Sequence, residues 1–229
     1  MDPKPVFLIA GGHHRRFAEG ALWRASIASV GTPRPSLAYV GAAAGDSGPF
    51  RLLIAGFLKR AGAGRLLPVK LCGKRPNLAA ARGVLDSADA VFVSGGDVEA
   101  GMRVLEETGV AGHLKALATQ GKPFIGLSAG SIVLARSWVR WRNPDDEASA
   151  ELFPCLGIAR VHCDTHDEDS DWAELRSLLK LLPDGEEGWG IPAGGAVVAR
   201  PDRTVAWSGR PPTRLRREGV SIQGIPVPD

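Results

Sequence analysis

Pro123-Phe124-Ile125-Gly126-Leu127-Ser128-Ala129-Gly130-Ser131 is a short apolar run that ends in a glycine-flanked serine and then becomes compatible with helix. Its centre, Gly126-Leu127-Ser128-Ala129-Gly130, fits the G-x-S-x-G pattern of a strand-to-helix elbow. Such a turn holds the serine in a strained conformation, and its small neighbours let the helix pack close while Oγ stays exposed. Ser128 would then sit at the positive end of the following helix, with the Ala129 N–H facing a developing oxyanion. The pattern also arises by chance, so the rest of the chain must supply a sheet, a base and a second oxyanion donor.

Upstream, strand-like and helix-like segments alternate. Residues 6–10 are apolar and end at Gly11-Gly12, and residues 17–30 carry Leu22, Ile27 and Val30 at helical spacing. Residues 36–41 and 66–71 are further apolar runs, followed by helical patterns over 50–61 and 78–88. Ala90-Val91-Phe92-Val93 stops at Ser94-Gly95-Gly96-Asp97 and leads into one or two helices with Leu105, Leu114 and Leu117 as core candidates. Strands separated by helices of this length predict right-handed crossovers and a doubly wound, mostly parallel α/β sheet with helices on both faces. Sites in such sheets gather at the carboxyl ends of the strands, where both Gly96 and Ser128 fall.

Downstream the pattern is less regular. Residues 135–154, with Trp138, Trp141 and a run of acids, read as a connection over the surface. Residues 156–162 read as a short strand and 172–182 as a helix through Leu175, Leu178, Leu179 and Leu182. Residues 196–199 and 204–207, flanking Arg200-Pro201-Asp202-Arg203, predict a C-terminal antiparallel hairpin.

Composition narrows the classes. The 229 residues fit one α/β domain spanning 1–229, and 44% hydrophobic with 23% charged residues indicates a globular chain. No apolar run reaches membrane-spanning length, and the N-terminus lacks signal-peptide regions, so a cytoplasmic protein is expected. Cys72, Cys155 and Cys163 show no paired spacing and fit reduced thiols. A formal charge of +3 does not point to nucleic acid, and the arginines at 210–217 read as a solvated surface.

A serine nucleophile needs a base and a group that orients it. Of five histidines, His166 falls past the end of a short strand, where a loop returns to the same sheet edge, whereas His162 reads as structural within that strand. Asp145, Asp146 and Glu147 are acid candidates, with Asp164 two residues before His166. An α/β-hydrolase does not fit, because no histidine occurs after His166, only 38 residues beyond Ser128. An extended His162-x-Asp164-x-His166 also places three possible metal ligands on one face, to which His13-His14 could add, although a structural and a catalytic histidine explain the same alternation.

Val93-Ser94-Gly95-Gly96-Asp97, Ser128 32 residues after Gly96, and Asp164-Thr165-His166 together resemble the peptidase E and cyanophycinase family of serine peptidases. The resemblance covers residues 6–198 and implies a class I glutamine amidotransferase-like fold. It implies Ser128 as nucleophile, His166 as base, an oxyanion hole from the N–H groups of Gly96 and Ala129, and an acid at Asp145 or Asp146. An amidotransferase proper would need cysteine at the elbow. Cyanophycinase-like members carry a glutamate in a segment matched here by Gly190-Ile191-Pro192-Ala193-Gly194-Gly195, which has no acid. Members that cleave after N-terminal aspartate carry basic residues shortly after the histidine, whereas this chain has Asp167-Glu168-Asp169-Ser170-Asp171. That acidic rim would favour an amine or guanidinium; the alternative reading is a helix N-terminus, where acids complement the dipole. The expected protein is therefore a serine-type hydrolase of dipeptides or short peptides, without cofactor or metal, monomeric or homodimeric, with Asp97 and Asp164 contacting substrate and neither nucleic acid nor membrane as partner. A catalytically weak relative that binds a small molecule or partner is the alternative.

Overall fold

The computed structural model describes residues 4–11, 20–143, 145–202 and 205–228. Its main sheet runs in the order β11-β10-β1-β5-β4-β2-β3. Here β1 is Val6–Ile9, β2 Leu37–Val40, β3 Leu66–Val69, β4 Ala90–Val93, β5 Phe124–Leu127, β10 Gly195–Ala199 and β11 Val205–Gly209. The five strands from β1 to β5 are parallel, and the β10–β11 hairpin adds antiparallel to β1. The predicted doubly wound sheet with a terminal hairpin is therefore present. Helices α1 (Gly20–Ala28), α2 (Gly48–Arg60), α3 (Leu78–Ser87), α4 (Val98–Glu107), α5 (Val110–Thr119) and α6 (Ala129–Leu134) form the crossovers and covers.

Alternation along the strands divides the core into two layers. Phe7, Ile9, Tyr39, Phe92 and Ile125 face Trp23, Ile54 and Leu58 of α1 and α2. Leu8, Val40, Val91, Val93 and Phe124 face Leu85, Leu105, Leu114 and Val133 of α3 to α6. With both faces covered, the strands read as nearly unbroken apolar runs, which is why the sequence reveals them.

The chain beyond α6 departs from expectation. Residues 135–154 are not a surface connection but a two-stranded sheet, β6 (Ser137–Trp141) with β7 (Ala150–Pro154). Its Val139 is fully buried, and Arg140 ties it to Glu151 on β7 and, at 3.0 Å, to Glu99 in the first turn of α4. The strand expected over 156–162 begins only at His162: β8 is His162–Thr165. It belongs to a second sheet, β13-β12-β9-β8, with β9 at Glu187–Ile191, β12 at Thr213–Glu218 and β13 at Ser221–Ile225. The arginines read as a solvated surface thus lie partly in β12, where Leu215 is buried and Arg214 and Arg216 both bind Glu187 on β9. Helix α7 (Ala173–Lys180) packs Leu175, Leu178 and Leu179 between this sheet and the β6–β7 hairpin.

Candidate active site

All four residues of β5 are buried, so the chain must turn abruptly at Ser128 to begin α6. Ser128 adopts φ 52° and ψ −126°, a region that costs a non-glycine residue about 1–3 kcal/mol and persists only where surroundings enforce it. Its N–H donates to Ile9 O at the end of β1 (2.8 Å), and Ser131 Oγ donates to the same carbonyl (3.0 Å). Gly130 lies so close to β4 that a Cβ there would stand 2.2 Å from Val93 O. The elbow read from the sequence is therefore built by contact with two neighbouring strands.

Gly96 follows β4 at φ 145°, and a Cβ on it would lie 2.0 Å from Ala43 O. Only glycine fits this approach to the 3-10 turn at Ala42–Ala44. Gly96 and Ala129 line one cleft with Ser128, of about 260 Å³. Within the described chain neither N–H donates to a protein acceptor, which leaves both available to a developing oxyanion.

His166 stands immediately after β8 with φ 48°, its N–H donating to Ile191 O at 2.9 Å. Its Nε2 lies 2.7 Å from Ser128 Oγ. For Nε2 to accept the Ser128 hydroxyl proton, the neutral ring must carry its own proton on Nδ1. The acid-free 190–195 segment supports this loop through backbone and space. Ala193 N–H donates to Glu168 at 3.1 Å, while Gly190 makes room for the buried Trp172 ring, which would lie 2.4 Å from a Cβ there.

The acids are arranged differently from the sequence expectation. Asp146 Oδ1 accepts the Ala148 N–H at 2.9 Å and caps a 3-10 turn; neither it nor Asp145 lines the cleft or hydrogen bonds to His166. Both sit at the tip of the β6–β7 hairpin, and that projection keeps them from the imidazole. Asp97 borders the cleft, but its carboxylate is occupied as the α4 N-cap, accepting Ala100 N–H at 2.7 Å. Asp164 lines the cleft and is 4% exposed. Burial, then the Glu174 carboxylate, pushes its carboxyl up to about 8.

Asp167 and Glu174 complete this wall. Glu174, in the first turn of α7, accepts the Trp138 indole N–H at 2.8 Å. Burial raises its pKa, opposed by that N–H and by the charge of His166. Trp138 and Glu174 are the site residues the sequence reading missed. The period-two alternation of Ser137-Trp138-Val139-Arg140-Trp141 was the available signal for the former; nothing local marks Glu174.

Among the described residues no three side chains are disposed to hold a metal ion. His162 Nδ1 pairs with Ser137 Oγ at 2.9 Å, and burial lowers its pKa to about 4, so it is a neutral structural residue. His13 and His14 lie outside the described residues. Two other depressions, one beside Lys115 and Lys122 and one beside Lys70 and Cys72, contain no paired nucleophile and base.

The model for peptidase family S51 matches residues 6–205. The chain belongs to peptidase family S51. It is a serine peptidase, and as an S51 member its fold is shared with solved structures. One is a peptidase from an acI-B1 Actinobacterium, 18% identical, covering 97% of this chain and 94% of that one with a TM-score of 0.67. Another is a putative peptidase E protein from Listeria monocytogenes EGD-e, 15% identical, covering 91% of this chain and 100% of that one with a TM-score of 0.63. No curated protein matches the S51 chain. Among its described residues no helix is long and apolar enough to cross a membrane.

Proposed function

We propose that this S51 peptidase hydrolyses dipeptides or short peptides through Ser128 and His166, with Glu174 as the carboxylate that stabilises the imidazolium. The observation that carries the reading is the 2.7 Å contact between Oγ at a strained elbow and Nε2. As Oγ attacks the scissile carbonyl, its proton passes to Nε2, and the oxyanion meets the N–H groups of Gly96 and Ala129. The imidazolium then protonates the departing amine, and a water molecule repeats the sequence on the acyl-enzyme. Glu174 takes the part that the family resemblance gave to Asp145 or Asp146, because it alone among these three borders the cleft and senses the charge of His166. Three unpaired cysteines fit a reducing compartment such as the cytoplasm.

The test is labelling of the wild type and Ser128→Ala by a fluorophosphonate, together with turnover of a dipeptide panel. Labelling and turnover confined to the wild type are expected; equal turnover in both proteins removes the mechanism. The second reading, a binding protein with a weak serine, is favoured by one feature: within the described chain His166 Nδ1 makes no hydrogen bond to a carboxylate. An unlabelled wild type would select it.

A further inference from the structure

We infer that Asp164 and Asp167 form an anionic subsite that takes a cationic group of the substrate, an ammonium or guanidinium, beside Ser128 and His166. This deepens the peptidase reading and rests on it for the identity of the ligand as substrate.

Asp164 is nearly inaccessible, yet it borders the cleft, and only one of its carboxyl oxygens has a partner. Oδ1 accepts the Thr165 N–H at 2.7 Å, while Oδ2 is buried and meets no N–H or hydroxyl donor among the described residues. Asp167 repeats the pattern, with Oδ1 held by Ser170 and Oδ2 buried and unpartnered. Leaving a buried carboxylate oxygen unmatched is costly unless a proton or cation meets it. In the empty site the Asp164 carboxyl holds a proton, because burial, then the Glu174 and Asp167 carboxylates, push it up to about 8. Among the described residues no lysine or arginine lines the cleft.

The neighbouring acids behave otherwise. Glu168 is matched by Arg210 and Asp171 by Arg176, whereas Asp164 and Asp167 at the cleft wall form no salt bridge among the described residues. Since the described residues include no metal-holding group of three, an organic cation suits the pair better. Asp164 and Asp167 flank the base in sequence, which suits a cation within one residue of the scissile carbonyl. An N-terminal aspartate side chain would instead face repulsion here.

Binding the cation displaces the Asp164 proton. The groups facing Asp164 are Asp167 and His166 in the loop after β8 and Glu174 on α7, with Cys163 adjoining it on β8 and Asp97 bordering the cleft at the start of α4. After burial, Glu174 and Asp167 disfavour ionisation of Asp164, so affinity for the cation should rise with pH up to about 8, where its carboxyl titrates.

Ser128→Ala protein allows binding to be read without turnover. Calorimetric titration should show argininamide or lysinamide binding at least tenfold more tightly than Nα-acetyl-aspartate amide, more tightly at pH 8.5 than at 6.5, with a proton released to the buffer. Alaninamide carries only the α-ammonium and Nα-acetyl-argininamide only the guanidinium, so whichever retains binding identifies the source of the cation. Adding Asp167→Asn, at a half-exposed position, or the isosteric Asp164→Asn should each weaken binding about tenfold, in proteins whose folding is checked by Tm. Equal binding of cationic and acidic probes, or affinity unchanged in both folded variants, overturns the subsite. Wild-type labelling by fluorophosphonate separates the two claims: labelling without cation preference removes the subsite alone, and cation binding without labelling removes the hydrolase alone.

Discussion

Replacing Gly96 by alanine should silence the oxyanion hole. The new Cβ would lie 2.0 Å from Ala43 O, against a closest usual C···O separation of about 3.3 Å, so the segment must move by roughly 1.3 Å. Catalytic donors work only within roughly 0.5 Å of their productive position. The N–H of residue 96 therefore leaves the site, and loss of one such donor costs about 100- to 1000-fold in rate. Alanine at φ 145° adds about 1–3 kcal/mol of backbone strain, read as a lower Tm. Phosphonylation of Ser128 by a fluorophosphonate is the assay, since it develops charge on oxygen at the same place and needs no knowledge of the substrate. A Gly96→Ala protein that folds and is labelled at the wild-type rate would refute the role given to this N–H.

Ser128→Gly should be unlabelled yet more stable than Ser128→Ala by about 1 kcal/mol or more, because glycine relieves the positive φ that alanine retains; denaturant unfolding of the two measures it. Trp138→Phe removes the donor that favours ionised Glu174, so the acid limb of the pH–rate profile should move to higher pH while the alkaline limb stays in place. The Asp164 carboxyl is held up to about 8 by burial first and Glu174 next, whereas an unfolded aspartate ionises near about 4. The folded protein thus keeps a proton that the unfolded chain releases, and stability present at low pH is lost as pH rises from about 4 to about 8. Asp164→Asn should raise Tm at pH 8, with the gain shrinking toward pH 4; an equal gain at both values would contradict the assignment.

The centre of the main sheet was legible because β1, β2, β4 and β5 are buried on both faces and separated by helical segments. The elbow was legible because Gly126 and Gly130 answer to close backbone contacts, with Ser131 and with β4, that leave no room for a Cβ, as Gly96 does to the Ala43 turn. The second sheet was not. Thr-Arg-Leu-Arg-Arg-Glu at 213–218 has one buried apolar residue, Leu215, and two of its arginines, Arg214 and Arg216, are satisfied by Glu187, more than 25 residues away. A hydropathy pattern cannot see such a partner. The proposed acid was hidden for the same reason: Glu174 looks like an ordinary first-turn helix acid until β6 places Trp138 against it.

Ser128 belongs to the seven-stranded sheet, whereas His166 hangs from the end of a strand in the four-stranded one. Their 2.7 Å contact is consequently a gauge of how the two sheets seat on each other, across α6, β8 and the Ile191 carbonyl. A slip too small to melt either sheet would disconnect nucleophile from base, and the enzyme would fall silent in mild denaturant while its circular dichroism still looked native.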